Sequence, residues 1–159
     1  MKETLKKVRA HLKAQNVRFF FDRETRTIHT WKTGDHGQFR VEINPAMNDT
    51  GLMCHAVFPI MAPEALKPAM ASLLARLNYE LAWGSFGMDP SDGEIRFRTT
   101  IPVTEGAFIE QDLDYLIHVN AIILDSHFPE LLGALGSGVA EAVGPEQLSP
   151  DSAARFEWN

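Results

Sequence analysis

A chain of 159 residues with 45% hydrophobic and 23% charged side chains can build one hydrophobic core and is too apolar to be disordered. Its net charge of −6 and pI near 5.5 lack the basic footprint of a nucleic-acid-binding domain, and the single Cys54 excludes an internal disulfide framework. No apolar run reaches membrane-spanning length and no apolar segment follows the charged N-terminus, so the expectation is a cytoplasmic protein with neither a membrane nor a nucleic-acid partner.

The first 40 residues carry ten Lys/Arg against four Asp/Glu, a charge of +6, and the remainder five against seventeen, a charge of −12. A basic N-terminal helix can therefore lie beside an acidic C-terminal one, within one chain or across a dimer, or both can be solvated faces. Leu5, Val8 and Leu12 recur at helical spacing, with Asn16 as the stop, because asparagine tolerates the left-handed conformation.

Strands follow. Val17, Phe19 and Phe21 alternate with Arg18, Phe20 and Asp22; a polar turn leads into Thr27 to Lys32; Phe39, Val41 and Ile43 alternate with Gln38, Arg40 and Glu42. After a loop from Asn44-Pro45 to Gly51, Leu52, Cys54, Ala56, Phe58 and Ile60 mark a fourth strand, giving an antiparallel meander. Pro63 predicts a loose turn, and the second helix begins near Pro68, where a first-turn proline is harmless. Met70, Leu73, Leu74, Leu77 and Leu81 form its stripe.

Gly84 to Met88 reads as a strand, Asp89-Pro90-Ser91-Asp92-Gly93 as a turn, and Glu94 to Pro102 as the returning strand, with Ile95 and Phe97 on one side and Arg96 and Arg98 on the other. A third helix is expected from about Phe108 to Leu132, bent or ended by Pro129. Residues 133–159 read as a Gly/Pro-containing tail after a single domain over 1–132; Phe156 and Trp158 give that tail two aromatics suited to docking on the domain or on a partner.

The run Leu77-Asn78, Trp83 to Asp89, Asp92-Gly93-Glu94-Ile95-Arg96-Phe97-Arg98 and Ile101-Pro102 resembles the signature of the YbjN family. The resemblance covers about Leu5 to Leu132 and is most specific in residues 73–102; Pro63 and Pro68 depart from the family pattern. It implies an α+β fold in the order α-ββββ-α-ββ-α, a twisted antiparallel sheet with helices mainly on one face, similar to type III secretion chaperones and often dimeric. No catalytic residue comes with it.

Strand parity places Phe20, His29 or Trp31, Arg40, His55, Val57, Trp83, Arg96 and Arg98 on the face opposite the helices. Aromatic area with nearby arginine is the composition of an interface, so Phe20, Trp31, Arg40, Val57, Trp83, Arg96 and Arg98 are the candidate partner-binding residues. The plain alternative is that the arginine stems and the rings only cover one another.

Metal-ligand and nucleophile patterns are missing. Cys54 and His55 point to opposite faces, Asp114 and His118 make at most a helical pair, and Gly84-Ser85-Phe86-Gly87 is one residue short of a nucleophile elbow. Asp89, Asp92 and Glu94 crowd a turn, where carboxylates are ordinary. Met53, Met61, Met70 and Met88 are groove lining or core filler.

The expected function is therefore a homodimeric, chaperone-like regulator that needs no cofactor and presents a sheet face or groove to a protein or peptide client. The alternative is an enzyme or small-ligand sensor with a pocket between sheet and third helix, where His118, Asn120 and His127 converge. A third reading makes the tail the recognition element.

Overall fold

The computed structural model describes residues 2–46, 50–103 and 110–142. The first helix, α1 (Lys2–Ala14), buries Leu5, Val8 and Leu12 and stops at Asn16. Asn16 takes a φ of 56°, the Val17 N–H donates to the Leu12 carbonyl at 2.9 Å, and the Asn16 N–H to the Lys13 carbonyl at 3.0 Å. That pair of bonds satisfies carbonyls the helix end would otherwise leave open.

Six antiparallel strands form one sheet: β1 (Phe19–Asp22), β2 (Thr27–Thr33), β3 (Gln38–Pro45), β4 (Gly51–Val57), β5 (Ser85–Met88) and β6 (Ile95–Pro102). Their spatial order is β1-β2-β3-β4-β6-β5, so the last hairpin docks with its second strand against β4. A one-turn 3₁₀ segment, Glu64–Leu66, leads into α2 (Lys67–Glu80), with Pro68 in its first turn as expected from the sequence.

The three described helices pack on one face. There Ile28, Val41, Ile43, Leu52 and Cys54 meet α1 and the first half of α3 (Glu110–Ala142), while Ala56, Phe86, Ile95 and Phe97 meet α2 and the second half of α3. Cys54 is fully buried, which raises its thiol well above the ordinary range, with Glu42 adding to the effect. The basic and acidic ends do meet inside the chain: His11 of α1 lies 2.7 Å from Asp114 of α3, whose carboxylate also accepts from Gln15. None of the described helices is long and apolar enough to cross a membrane.

Two elements differ from the sequence expectation. The fourth strand stops at Val57 because Pro59 has no N–H to continue a ladder, and Ile60 is left partly exposed. The third helix passes through Pro129, Gly133 and Gly136 to Ala142. Leu131 and Leu135 are buried in the core cluster that also holds Phe58, Met70 and Leu74, and that packing outweighs a lost helical hydrogen bond and two poor helix formers. The expected helix start at Phe108 and the aromatics Phe156 and Trp158 lie outside the described residues.

Asn78, from the Leu-Asn pair, closes the sheet's edge. Its side-chain oxygen accepts from the Phe86 N–H at 2.7 Å and its amide donates to the Phe86 carbonyl at 2.9 Å, so the amide stands where a further strand would pair. Asn78→Ala is expected to lower stability by about 1–3 kcal/mol, measured by urea unfolding, because both backbone groups of Phe86 lose their partner. An unchanged midpoint would show that this clamp is idle.

Candidate functional site: the open face of the sheet

Opposite the helices, the register assembles two rows of side chains across the sheet. Trp31, Arg40, Val57, Arg96 and Gly87 succeed one another in one row; Phe20, His29, Glu42, His55, Arg98 and Ser85 do so in the next. None of the described helices covers them. Phe20 is 60% exposed and Trp31 50%, whereas Val57 is buried beneath its neighbours.

The centre is an ion network. Arg40 lies 2.9 Å from Glu42 through Nε and 2.9 Å from Glu94 through Nη2. Arg96 closes on Glu94 from the other side and reaches Glu42 at 3.9 Å, with His29 at 3.6 Å from the same carboxylate. The two carboxylates are the buried members, and the guanidiniums cover them, so two cations and two anions cancel. The face is therefore aromatic at one end and charge-balanced in the middle, where the partner-binding candidates named arginines and no carboxylate. Glu42 and Glu94 were legible as the residues alternating with Val41, Ile43 and Ile95. Glu94 leaves the turn carboxylates altogether, while Asp89 and Asp92 stay there and accept from Ser91 and the Glu94 N–H.

Two shallow cavities flank the network. One, about 310 Å³, is lined by Trp31, Gln38, Arg40, Met61 and Glu94 among others; the second, about 260 Å³, by His55, Ser85, Met88, Asp89, Arg96 and Arg98. Met61 and Met88 thus line opposite sides of the network, while Met70 is core. His55 is buried, and desolvation followed by the nearby Arg96 lowers its ring to about 4, Glu42 opposing. Trp83 is 69% exposed but sits before β5, and the φ of 73° at Gly84 interrupts the alternation that parity relied on.

His118, Asn120 and His127 do not converge. His118 is exposed. Asn120 is fully buried and accepts from the Ala56 N–H at 3.2 Å while donating to the Leu116 carbonyl at 3.0 Å and to Thr99. His127 Nδ1 lies 2.8 Å from the Ile123 carbonyl and its ring stands edge-on to Phe86 at 5.3 Å. Leu113, Leu116 and Leu124 are fully packed between α3 and the sheet. Asp114 takes His11 as its close partner. A separate basic hollow of about 420 Å³, lined by Lys6, Arg9, Phe21, Arg23 and Arg26 with Glu3, lies between α1 and the β1–β2 hairpin, and Arg9 stacks on Phe21 at 4.4 Å.

No curated protein sequence matches this chain. The fold is similar to the crystal structure of YbjN from E. coli, described as a putative transcription regulator: TM-score 0.59 at 12% identity, covering 79% of this chain and 92% of that one. The model of a family described as "Putative bacterial sensory transduction regulator" matches residues 4–133. Matched over most of its length, and with the six-stranded α+β architecture in place, this chain belongs to the YbjN family.

Proposed function

We propose that the protein is a non-catalytic, cytoplasmic regulator, acting as a homodimer without a cofactor, whose open sheet face takes up a segment of a protein partner. The carrying observation is the exposure of Phe20 and Trp31 beside a network whose charges are already balanced. Large rings standing in water next to a neutralised, half-buried surface gain most from being covered. The Asn78 amide on the β5 edge favours uptake across the face over strand addition at that edge. The separation of His118, Asn120 and His127 favours partner binding over a pocket chemistry.

The test is affinity purification from the native cell with wild type and a Phe20→Ser/Trp31→Ser variant. Both rings are exposed, so the variant should keep its stability within about 0.5 kcal/mol each. The expected result is loss of co-purifying protein with folding intact. Undiminished recovery, or a small metabolite with no protein, overturns the reading. A strict monomer by light scattering would remove the dimer.

A further inference from the structure

Among the described residues, His55 is the buried polar ring on the open face that the network leaves out. It is nine-tenths buried, its Nδ1 is enclosed without a partner, and the ring makes no hydrogen bond among the described residues. It lines the cavity of about 260 Å³ at the β4–β6–β5 end of the face. Register builds this place: His55 lies directly across from Arg98, and Arg98 directly across from Ser85. Three neighbouring strands thus set an imidazole, a guanidinium and a hydroxyl in one row.

The two cations of the cavity differ in kind. Arg96 is committed to Glu94 and Glu42. Arg98 is exposed and has no hydrogen bond or ion pair among the described residues. A guanidinium whose fork has no partner among the described residues, beside a buried ring with unused hydrogen-bonding capacity, describes a receptor for a planar anion.

We infer that this cavity binds a carboxylate group, with Arg98 as its charged partner and the Ser85 hydroxyl and His55 ring as neutral hydrogen-bonding partners. Charge balance selects the class: one uncommitted cation matches a monoanion, and Asp89 on the wall opposes the second charge of a phosphate. The volume lies just below the roughly 300 Å³ at which drug-sized pockets begin, so it fits a carboxylate on a short stem. That stem is either a free short-chain acid or the end of a peptide, and in the second form the inference rests on the partner-binding reading above.

The experiment is side-chain NMR of the full chain without any partner, following the His55 ring and Ser85 during titration with sodium acetate against sodium chloride of equal ionic strength. Around the ring stand Glu42 on β3, Arg96 and Arg98 on β6, and Asp89 beside β5. Acetate is expected to give saturable shifts at both residues and to raise the pH at which His55 titrates, since it offsets the flanking guanidiniums. Arg98→Ala should weaken the response about tenfold or more, and Arg98→Gln, which keeps much of the stem, should do the same. A short peptide with a free C-terminus that binds more tightly than acetate, and loses this on amidation, assigns the chain-end source; equal binding of peptide and acetate assigns the free acid. No saturable shift, an undiminished response in the Arg98 variants, or tighter binding of inorganic phosphate overturns the inference. Because no partner is present, that failure is separate from failure of the co-purification test.

Discussion

Gly93→Ala is expected to destabilise the protein by about 3–5 kcal/mol, a large share of the 5–15 kcal/mol that holds a domain of this kind together. Gly93 closes the β5–β6 turn with a φ of 82°, a region that costs an L side chain about 1–2 kcal/mol. An added Cβ would also stand 2.1 Å from the Ala62 carbonyl oxygen and 3.0 Å from its nitrogen, both of them backbone. The segment before α2 would have to retreat, and with it the 2.8 Å bond from the Ala62 N–H to the Gly93 carbonyl. Urea and thermal unfolding measure the loss, expected near 10 °C in melting temperature. Gly87→Ala on the neighbouring strand is the control: nothing lies within 4 Å of its added Cβ, so it should stay within about 0.5 kcal/mol. If both variants unfold alike, the contact with Ala62 is not what the glycine protects.

Lowering the pH from 7 to 4 is expected to remove about 3 kcal/mol through His55 alone. Burial first, and then Arg96, brings its titration to about 4 from the ordinary 6.5. Between those values the unfolded chain binds a proton that the folded ring refuses, so stability falls steadily as the pH drops through this window and levels off below about pH 4. Other acid effects fall elsewhere. Burial pushes Asp114 and Asp125 up, but bonds from His11 and Gln15, and from the His36 and Asp35 N–H groups, outweigh it and hold both below 3.8. Their contribution is present above 3.8 and is lost only as the pH falls through their lower folded values. Unfolding free energies at pH 7, 5.5 and 4 should therefore show a slope in wild type that His55→Gln flattens. The same slope in the variant would mean that some other group carries it. Between pH 7 and 5.5, where acetate stays ionised, saturating acetate should flatten the wild-type slope as well, because a bound carboxylate raises the ring's titration.

Much of the fold is legible along the chain. The period-two runs of β3 and β6, the stripe of α1, its stop at Asn16 and the start of α2 at Pro68 all lie where spacing and turn chemistry put them. These are local matters, decided by residues within a turn or a strand of each other. Parity also sufficed to put Phe20, Trp31, Arg40, Val57, Arg96 and Arg98 on one face, since it needs only a strand's own alternation. It does not reach Trp83, which precedes β5 and is separated from it by the positive φ of Gly84.

What residues 94–98 meet was not legible. Glu94 joins Arg40 across 54 positions of sequence because β6 pairs with β4 and lies one strand away from β3. No alternation in either strand carries that information. The same holds for Asn120, whose amide bonds to β4 and β6 from the first third of α3, and for Pro129, which the helix tolerates because Leu131 and Leu135 are buried in the core beyond it. By itself the sequence determined the elements, their faces and the arginines of β6. Only the tertiary structure decided that Arg96 is held by two carboxylates while Arg98, one turn of the pleat away, is left facing a cavity with His55. The reason is physical: hydrophobic periodicity is a property of neighbours in the chain, whereas charge pairing is settled by strand order, which long-range packing selects.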